Sequence, residues 1–424
     1  MERILLRGAR VLDPASGFDQ AADVLIAGGK VQQIAPGIPA DGADVIEAAG
    51  LTAAPGLVDM HVHLRDPGFL EKEDVFSGCK AAAAGGVTSL LAMPNTRPAM
   101  DAPETVRALL TKAQNADARV YTAACITKGL QSEALCDLAA LKEAGAIALS
   151  DDGRPVTNTK LLAEALLLSD ELDMPVVSHC EDLYLAAGGL INEGETSRAL
   201  GVRGIPAAAE DAGTARDIAL AEAYGKAIHI CHVSTKTSVA MIRDAKRRGV
   251  RVTAETAPHY FSLTDASLLS RDADFRMNPP LRAEEDRLAV IEGLQDGTLD
   301  AVATDHAPHT PAEKSAFETA PNGSIGMETS LAAGITHLVK PGHLSLAGLL
   351  WKMSAAPAKI LGINAGRLTE GGPADLVLFD PDEVWTVDPE ALHGKSKNTP
   401  FKGQTLCGRV RLTLCRGKVT YRAE

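Results

Sequence analysis

No run of apolar residues in this chain approaches the roughly 18–20 needed for a membrane-spanning helix. The opening residues, Met1 to Arg7, offer no apolar h-region or small-residue cleavage site, so no secretory leader is expected. Basic residues are the minority, 42 Lys and Arg against 55 Asp and Glu, and the net charge of −13 argues against a protein that coats nucleic acid. Cysteine is sparse and odd in number. The seven, Cys79, Cys125, Cys136, Cys180, Cys231, Cys407 and Cys415, are scattered without a C-x-x-C pair, which argues against a disulfide framework and for a reducing cytoplasm. What remains is an ordinary globular balance of 46% hydrophobic and 23% charged residues, too apolar for a disordered chain.

Both ends of the chain read as strands. Arg3–Leu6, Ala22–Ile26 and Val31–Ile34 are short β-type runs, the last two separated by the turn sequence Ala27-Gly28-Gly29-Lys30. Ala374–Phe379, Val410–Leu414 and Lys418–Tyr421 have the same character. Isolated hairpins are unstable, so residues 1–52 and 366–424 are expected to assemble one small β-sandwich-like domain. Between them, over 53–365, short apolar runs alternate with Ala/Leu/Glu/Lys-rich stretches of helical spacing. These stretches are Glu104–Gln114, Ser132–Ala144, Lys160–Leu172, Ala207–Ala223 and Val239–Arg248. The runs end near His63, Met93, Ala123, Ser150, His179, His232, Glu255 and Asp305. Eight such units predict an α/β fold of the (β/α)8, or TIM-barrel, type. The longest irregular stretch, His306 to Ile325, has the length of a functional lid.

The chemistry-bearing residues gather at the ends of those runs, where (β/α)8 barrels place their active sites. His61 and His63 close the first run and, two apart on a strand, project to the same side. His179 closes the fifth, His232 the sixth and Asp305 the eighth, while Asp151 and Asp152 follow the fourth. Imidazole and carboxylate donors without thiolate suit Zn²⁺, with Mn²⁺ or Co²⁺ as substitutes.

Four segments carry a family likeness: His61-Val62-His63-Leu64-Arg65-Asp66-Pro67-Gly68, Met93-Pro94-Asn95-Thr96-Arg97-Pro98, Met277-Asn278-Pro279-Pro280-Leu281-Arg282, and Ala303-Thr304-Asp305-His306-Ala307-Pro308-His309. With them the chain resembles the amidohydrolase superfamily and, within it, the bacterial type I dihydroorotases. The resemblance implies one zinc on His61, His63 and Asp305, a second on His179 and His232, and Asp152 as the bridge, with Asp151 the weaker alternative. Many relatives bridge with a carboxylated lysine, but no lysine ends the fourth run here. It implies that Arg65, Asn95 and His309 hold a substrate carboxylate, that Asn278 bonds the ring amide, and that backbone near Asn322 and Gly323 contacts the ring. Relatives commonly carry Phe where Asn322 stands. The activity implied is reversible hydrolysis of dihydroorotate to N-carbamoyl-L-aspartate, the third step of de novo pyrimidine synthesis. A metal-activated water would attack, with Asp305 as base and then acid. A homodimer and a complex with aspartate carbamoyltransferase are partners the family suggests. The alternatives are another cyclic amidohydrolase (dihydropyrimidinase, hydantoinase or allantoinase) and a non-catalytic scaffold for aspartate carbamoyltransferase. The remaining polar residues take structural readings. Strand parity counted from His232 turns His229 toward the helix layer, His306 is expected to point away from Asp305, His259 lies near the mouth, and Cys180 and Cys231 belong to the core.

Overall fold

The computed structural model describes residues 3–423. Met1, Glu2 and Glu424, at the outer limits of the expected terminal domain and of the leader reading, lie outside the described residues. The chain opens with five strands: β1 (Arg3–Asp13), β2 (Phe18–Ala27), β3 (Lys30–Ala35), β4 (Asp44–Glu47) and β5 (Thr52–Pro55). Gly28 and Gly29, both at positive φ, make the β2–β3 turn where the sequence predicts it. Then come β6 (Leu57–Val62), β7 (Val87–Ala92), β8 (Arg119–Ala124), β9 (Ala148–Leu149) and β10 (Val177–Ser178). A two-stranded excursion, β11 (Ile191–Asn192) and β12 (Gly204–Ile205), precedes β13 (Ile228–Ile230), β14 (Val252–Thr256) and β15 (Ala301–Val302). The chain closes with β16 (Leu376–Thr386), β17 (Thr405–Cys415) and β18 (Lys418–Arg422).

The terminal strands form one eight-stranded sheet in the order β18-β17-β16-β5-β1-β2-β3, with β4 also on β1. It has its own apolar cluster, in which Ile4, Leu6 and Val24 meet Leu376, Leu412 and Leu414. The central strands form two parallel four-stranded sheets, β6-β7-β8-β9 and β10-β13-β14-β15. Backbone bridges Leu149–Val176 and Val62–His306 join them at both seams, closing an eight-stranded barrel without open edges. Each of the eight apolar runs ends in or just past one of these strands. Inside, Val58, Met60, Leu91, Ala123, Val177 and Cys231 fill the axis, while the outward residues pack against the helices.

Four of the five helical stretches fold as expected, Pro103–Lys112, Thr159–Glu171, Ala208–Tyr224 and Lys236–Arg247. Ser132–Ala144 is helical only from Leu138 to Glu143. Its first half bends at Ser132–Ala134 and bridges from Leu135 to Thr127 instead; the Cys136 amide donates to Ile126 O at 3.0 Å and Asp137 then caps the shortened helix at the Ala140 amide.

Candidate active site

Every metal-donor residue named from the sequence lies at the C-terminal mouth of the barrel. A register irregularity between Asp59 and Val62 falls in the β6–β7 ladder, and His61 and His63 still share one side. Asp59 ties the two ends of the barrel sheet together, accepting from the Thr304 amide at 3.0 Å and the Thr304 hydroxyl at 2.6 Å, which sets Asp305 beside β6. Arg65, His232 and Asp305 sit at φ +59°, +35° and +48°, left-handed conformations that side chains beyond glycine seldom adopt and that cluster at functional sites.

Asp152 is the hub. Its Oδ1 lies 3.3 Å from His61 Nε2, 3.6 Å from His232 Nε2 and 3.7 Å from His179 Nδ1, and its Oδ2 lies 3.4 Å from His63 Nε2. Asp305 Oδ1 stands 3.2 Å from His63 Nε2 and 3.6 Å from His61 Nε2. His179 and His232 approach each other at 2.8 Å. All six are buried. Burial alone would raise both aspartates, but His61, His232 and His63 around Asp152 outweigh it and hold that carboxyl well below its usual range. Asp305 is lowered in the same way, chiefly through its contact with His63.

Asp151 points elsewhere. It accepts from the Ile126 amide at 2.8 Å, from the Thr127 amide at 3.1 Å and from the Thr127 hydroxyl, so its oxygens anchor the loop after β8.

Strand parity failed for His229. Its ring turns inward, with Nδ1 2.9 Å from Thr253 Oγ1 and Nε2 3.4 Å from Glu255 Oε2. β13 stops at Ile230, and the positive φ of His232 breaks the alternation between the two histidines. Glu255 also holds His61 Nδ1 at 3.0 Å, a carboxylate that fixes the ring and leaves Nε2 to face the cluster. Sequence reasoning gave Glu255 no role, although a glutamate inside an apolar strand run is a signal, since such residues are seldom buried unpaired. Glu181 was missed too. It lies between His179 Nε2 at 3.3 Å and Asn278 Nδ2 at 3.1 Å. His306 behaves as expected, facing away and accepting from the Gly326 amide at 3.2 Å. His259 is buried against Tyr260, and burial lowers its pKa to about 4.

The other half of the site stands on loops. A cavity of about 260 Å³ is lined by Arg65, Asn95, Asn278, His309, Asn322 and Gly323 together with the donor cluster. Asn95 Oδ1 meets His63 Nδ1 at 2.8 Å. Arg65 is braced by Pro308 O at 3.2 Å and lies 3.3 Å from His309 Nε2. Burial first, then Arg65, Lys72 and Lys314, push His309 down to about 3, so it is neutral. Its partners assign the tautomer: Nε2–H donates to Asn322 O at 2.9 Å and Nδ1 accepts from Lys72 at 3.3 Å. The Asn322 side chain accepts from Arg276 at 3.1 Å. The Gly323 carbonyl is taken by Lys314 at 2.8 Å and Asn398 at 3.1 Å, and its amide by Arg276 O at 2.9 Å. Gly323 instead supplies room: at φ +136°, a Cβ there would sit 2.8 Å from Ala307 Cβ and 3.0 Å from His309 Nε2.

The donor set fits a metal. His61 Nε2 and Asp152 Oδ1 are buried polar atoms without a hydrogen-bond partner, and buried atoms of that kind call for an ion or a water. The triads His61, His63, Asp305 and His61, Asp152, His232 each hold their ligand atoms within 4.8 Å, as does His61, Cys231, Glu255. A closed parallel barrel with a metal-binding His/Asp cluster at its mouth and a flanking terminal sheet defines a hydrolase of the amidohydrolase class. Residues 50–238 match the Dihydro-orotase-like family and residues 294–421 the Amidohydrolase family. The dihydroorotase of Geobacter metallireducens is 49% identical over 422 residues, 99% of both chains. That of Syntrophus aciditrophicus is 49% identical over 426 residues, all of both. Among solved structures, the L-hydantoinase (dihydropyrimidinase) of Arthrobacter aurescens superposes with a TM-score of 0.88 at 26% identity, covering 99% of this chain and 96% of the other. The chain belongs to the dihydroorotase family.

Proposed function

We propose that the protein catalyses the reversible ring opening of (S)-dihydroorotate to N-carbamoyl-L-aspartate, working as a zinc enzyme with two ions per subunit. The observation that carries this reading is the pairing, in one cavity, of the histidine–aspartate cluster with Arg65, Asn95 and His309. A cyclic amide needs the first, and a substrate that also bears a carboxylate needs the second. His61, His63 and Asp305 would hold one ion, His179 and His232 the other, with Asp152 between them. Bound metal supplies a water acidic enough to ionise near pH 7 and polarises the amide carbonyl.

The rest follows from side chains. Arg65 presents a planar fork to the carboxylate, which a lysine point charge could not match. Asn95 and neutral His309 complete the clamp, the Nε2–H of His309 shared between Asn322 O and the carboxylate, and so hold the carbonyl within attack range. Asn278, fixed through Glu181, faces the ring amide with an unpaired buried Oδ1. Asp305, ionised, takes the proton of the attacking water and returns it to the leaving nitrogen. Residues 53–365 carry this chemistry, with 1–52 and 366–424 as the flanking domain. Assembly as a homodimer and with aspartate carbamoyltransferase follows from the family resemblance, and sedimentation with and without that partner tests both. Seven free thiols support a cytoplasmic setting.

Assay of dihydroorotate beside dihydrouracil, hydantoin and allantoin tests the reading. Turnover of dihydroorotate well above the others is expected, and equal turnover would make the protein a general cyclic amidohydrolase, the second reading that the hydantoinase-like architecture supports. Metal analysis separates both from a non-catalytic scaffold, which filled ligand positions speak against.

A further inference from the structure

A second cavity, of about 610 Å³, opens beside the catalytic one and shares Arg65, Asn95, Asp152 and Gly153 with it. Its outer wall carries Lys72, Arg97 and Arg154. Lys72 is neutralised by Glu313 at 2.7 Å. Arg97 and Arg154 are exposed, and among the described residues neither enters an ion pair. Asp101 is the wall's other carboxylate besides Asp152, and it is occupied by the Gly129 amide at 2.9 Å. Two guanidinium groups outside any ion pair among the described residues thus face the approach to the site, against one carboxylate, Asp101, on the outer wall, in a chain whose net charge is −13.

Their backbones are held in place. The Arg97 amide donates to Pro67 O at 3.0 Å, and Gly68 lies so close that a Cβ there would come within 2.2 Å of Arg97 O. The Arg154 amide closes a turn on Asp151 O at 3.0 Å, and the intervening Gly153, at φ +74°, leaves a Cβ only 3.1 Å from Asn95 Nδ2. Each arginine stands two residues past a residue of the site, Asn95 or Asp152. The chain that builds the catalytic pocket therefore also fixes the charged wall outside it.

We propose that Arg97 and Arg154 form an electropositive antechamber that captures the acyclic dicarboxylate ahead of cyclisation and favours it over the cyclic monocarboxylate. This rests on the dihydroorotase reading. In the cyclising direction the dianion takes up one proton and loses water to give the ring monoanion, so the two substrates differ by one unit of negative charge. A field from two cations acts on the dianion twice as strongly as on the monoanion, in logarithmic terms. Such a field is nearly unscreened at 0.01 M salt, where the Debye length is about 30 Å, and is largely removed at 0.5 M, where it is about 4 Å.

The test compares the competitive inhibition constants of two unreactive probes, N-acetyl-L-aspartate as an acyclic dianion and orotate as a cyclic monoanion, on the metal-loaded wild type, R97Q/R154Q and R97K/R154K, at 0.01 M and 0.5 M NaCl. In low salt R97Q/R154Q is expected to weaken binding of the dianion about 10-fold and of the monoanion about 3-fold. At 0.5 M NaCl both losses should shrink below about twofold, and R97K/R154K should track wild type throughout. Equal losses on the two probes, losses that persist in high salt, or a double-lysine variant as impaired as the double glutamine would overturn the antechamber. Melting curves identify a glutamine variant that has merely unfolded, and R97E and R154E, each expected to fall further than the matching single glutamine, then decide the question. Failure of wild type to interconvert the acyclic dicarboxylate and the ring monoanion would instead sink the dihydroorotase reading.

Discussion

The two halves of the site are built on opposite plans. The donor half comes from strand ends: His61 and His63 just inside and past β6, and Asp152, His179, His232 and Asp305 within a few residues of β9, β10, β13 and β15. The clamp half comes from loops, and its members are held by each other: Arg65 on Pro308 O, His309 on Asn322 O and Lys72, Gly323 under Lys314 and Asn398. Asn398 lies between β16 and β17, so the C-terminal segment reaches the proposed clamp. Both halves use bonds across the chain, Asp59 to Thr304 and Glu255 to His61 among the donors, but the donors ride on strands that barrel closure fixes, whereas the proposed substrate clamp rides on loops.

The sharpest way to break the donor half is Asp305→Asn. An amide cannot take the proton, and loss of a general base lowers turnover by about 10²–10⁴. The fold should persist, which circular dichroism would verify, and near-wild-type kcat would remove Asp305 from its role.

The neighbouring aspartates sharpen the contrast between chemistry and scaffold. Asp152→Ala should strip metal, measured by elemental analysis, with little loss of stability in the metal-free protein. Asp151→Ala should do the reverse, because it strands the buried amides of Ile126 and Thr127, each costing about 1–3 kcal/mol. Metal loss confined to Asp151→Ala would show the assignment to be inverted.

On the clamp side, Arg65→Lys keeps the charge and loses the fork. A charge-assisted hydrogen bond contributes about 1.5–3 kcal/mol, so kcat/KM for dihydroorotate should fall roughly 10- to 150-fold. Any hydrolysis of dihydrouracil, which lacks the carboxylate, should change little. Parallel losses on both substrates would mean that Arg65 acts on the fold and not on the carboxylate.

The smallest effect is expected at Asn322. Its carbonyl, which any residue supplies, meets His309, while the side chain only accepts from Arg276. Asn322→Ala removes one charge-assisted bond, about 1.5–3 kcal/mol of loop stability, with no proposed substrate contact, so kcat/KM should drop less than about tenfold. A loss as large as that of Arg65→Lys would place the side chain on the substrate.

The eight strand ends and the donor types were legible in the linear chain because both follow from short-range rules. Apolar runs broken by helical stretches mark parallel barrel strands, and residues two apart on a strand share a face, which paired His61 with His63. Those rules lapse where a strand ends. The left-handed turn at His232 swung His229 inward, toward a Glu255 given no role from the sequence. Asp151 and Asp152 are alike in composition and adjacent, and only the loop after β8, folding back onto Asp151, determined which one faces the histidines. The clamp shows the limit most plainly. Family motifs named its members, but the bonds that hold them join residues up to 243 positions apart, as between Arg65 and Pro308. Periodicity reports which way a side chain leaves its own strand. Which distant group it meets is decided by closure of the barrel and packing of the loops upon it.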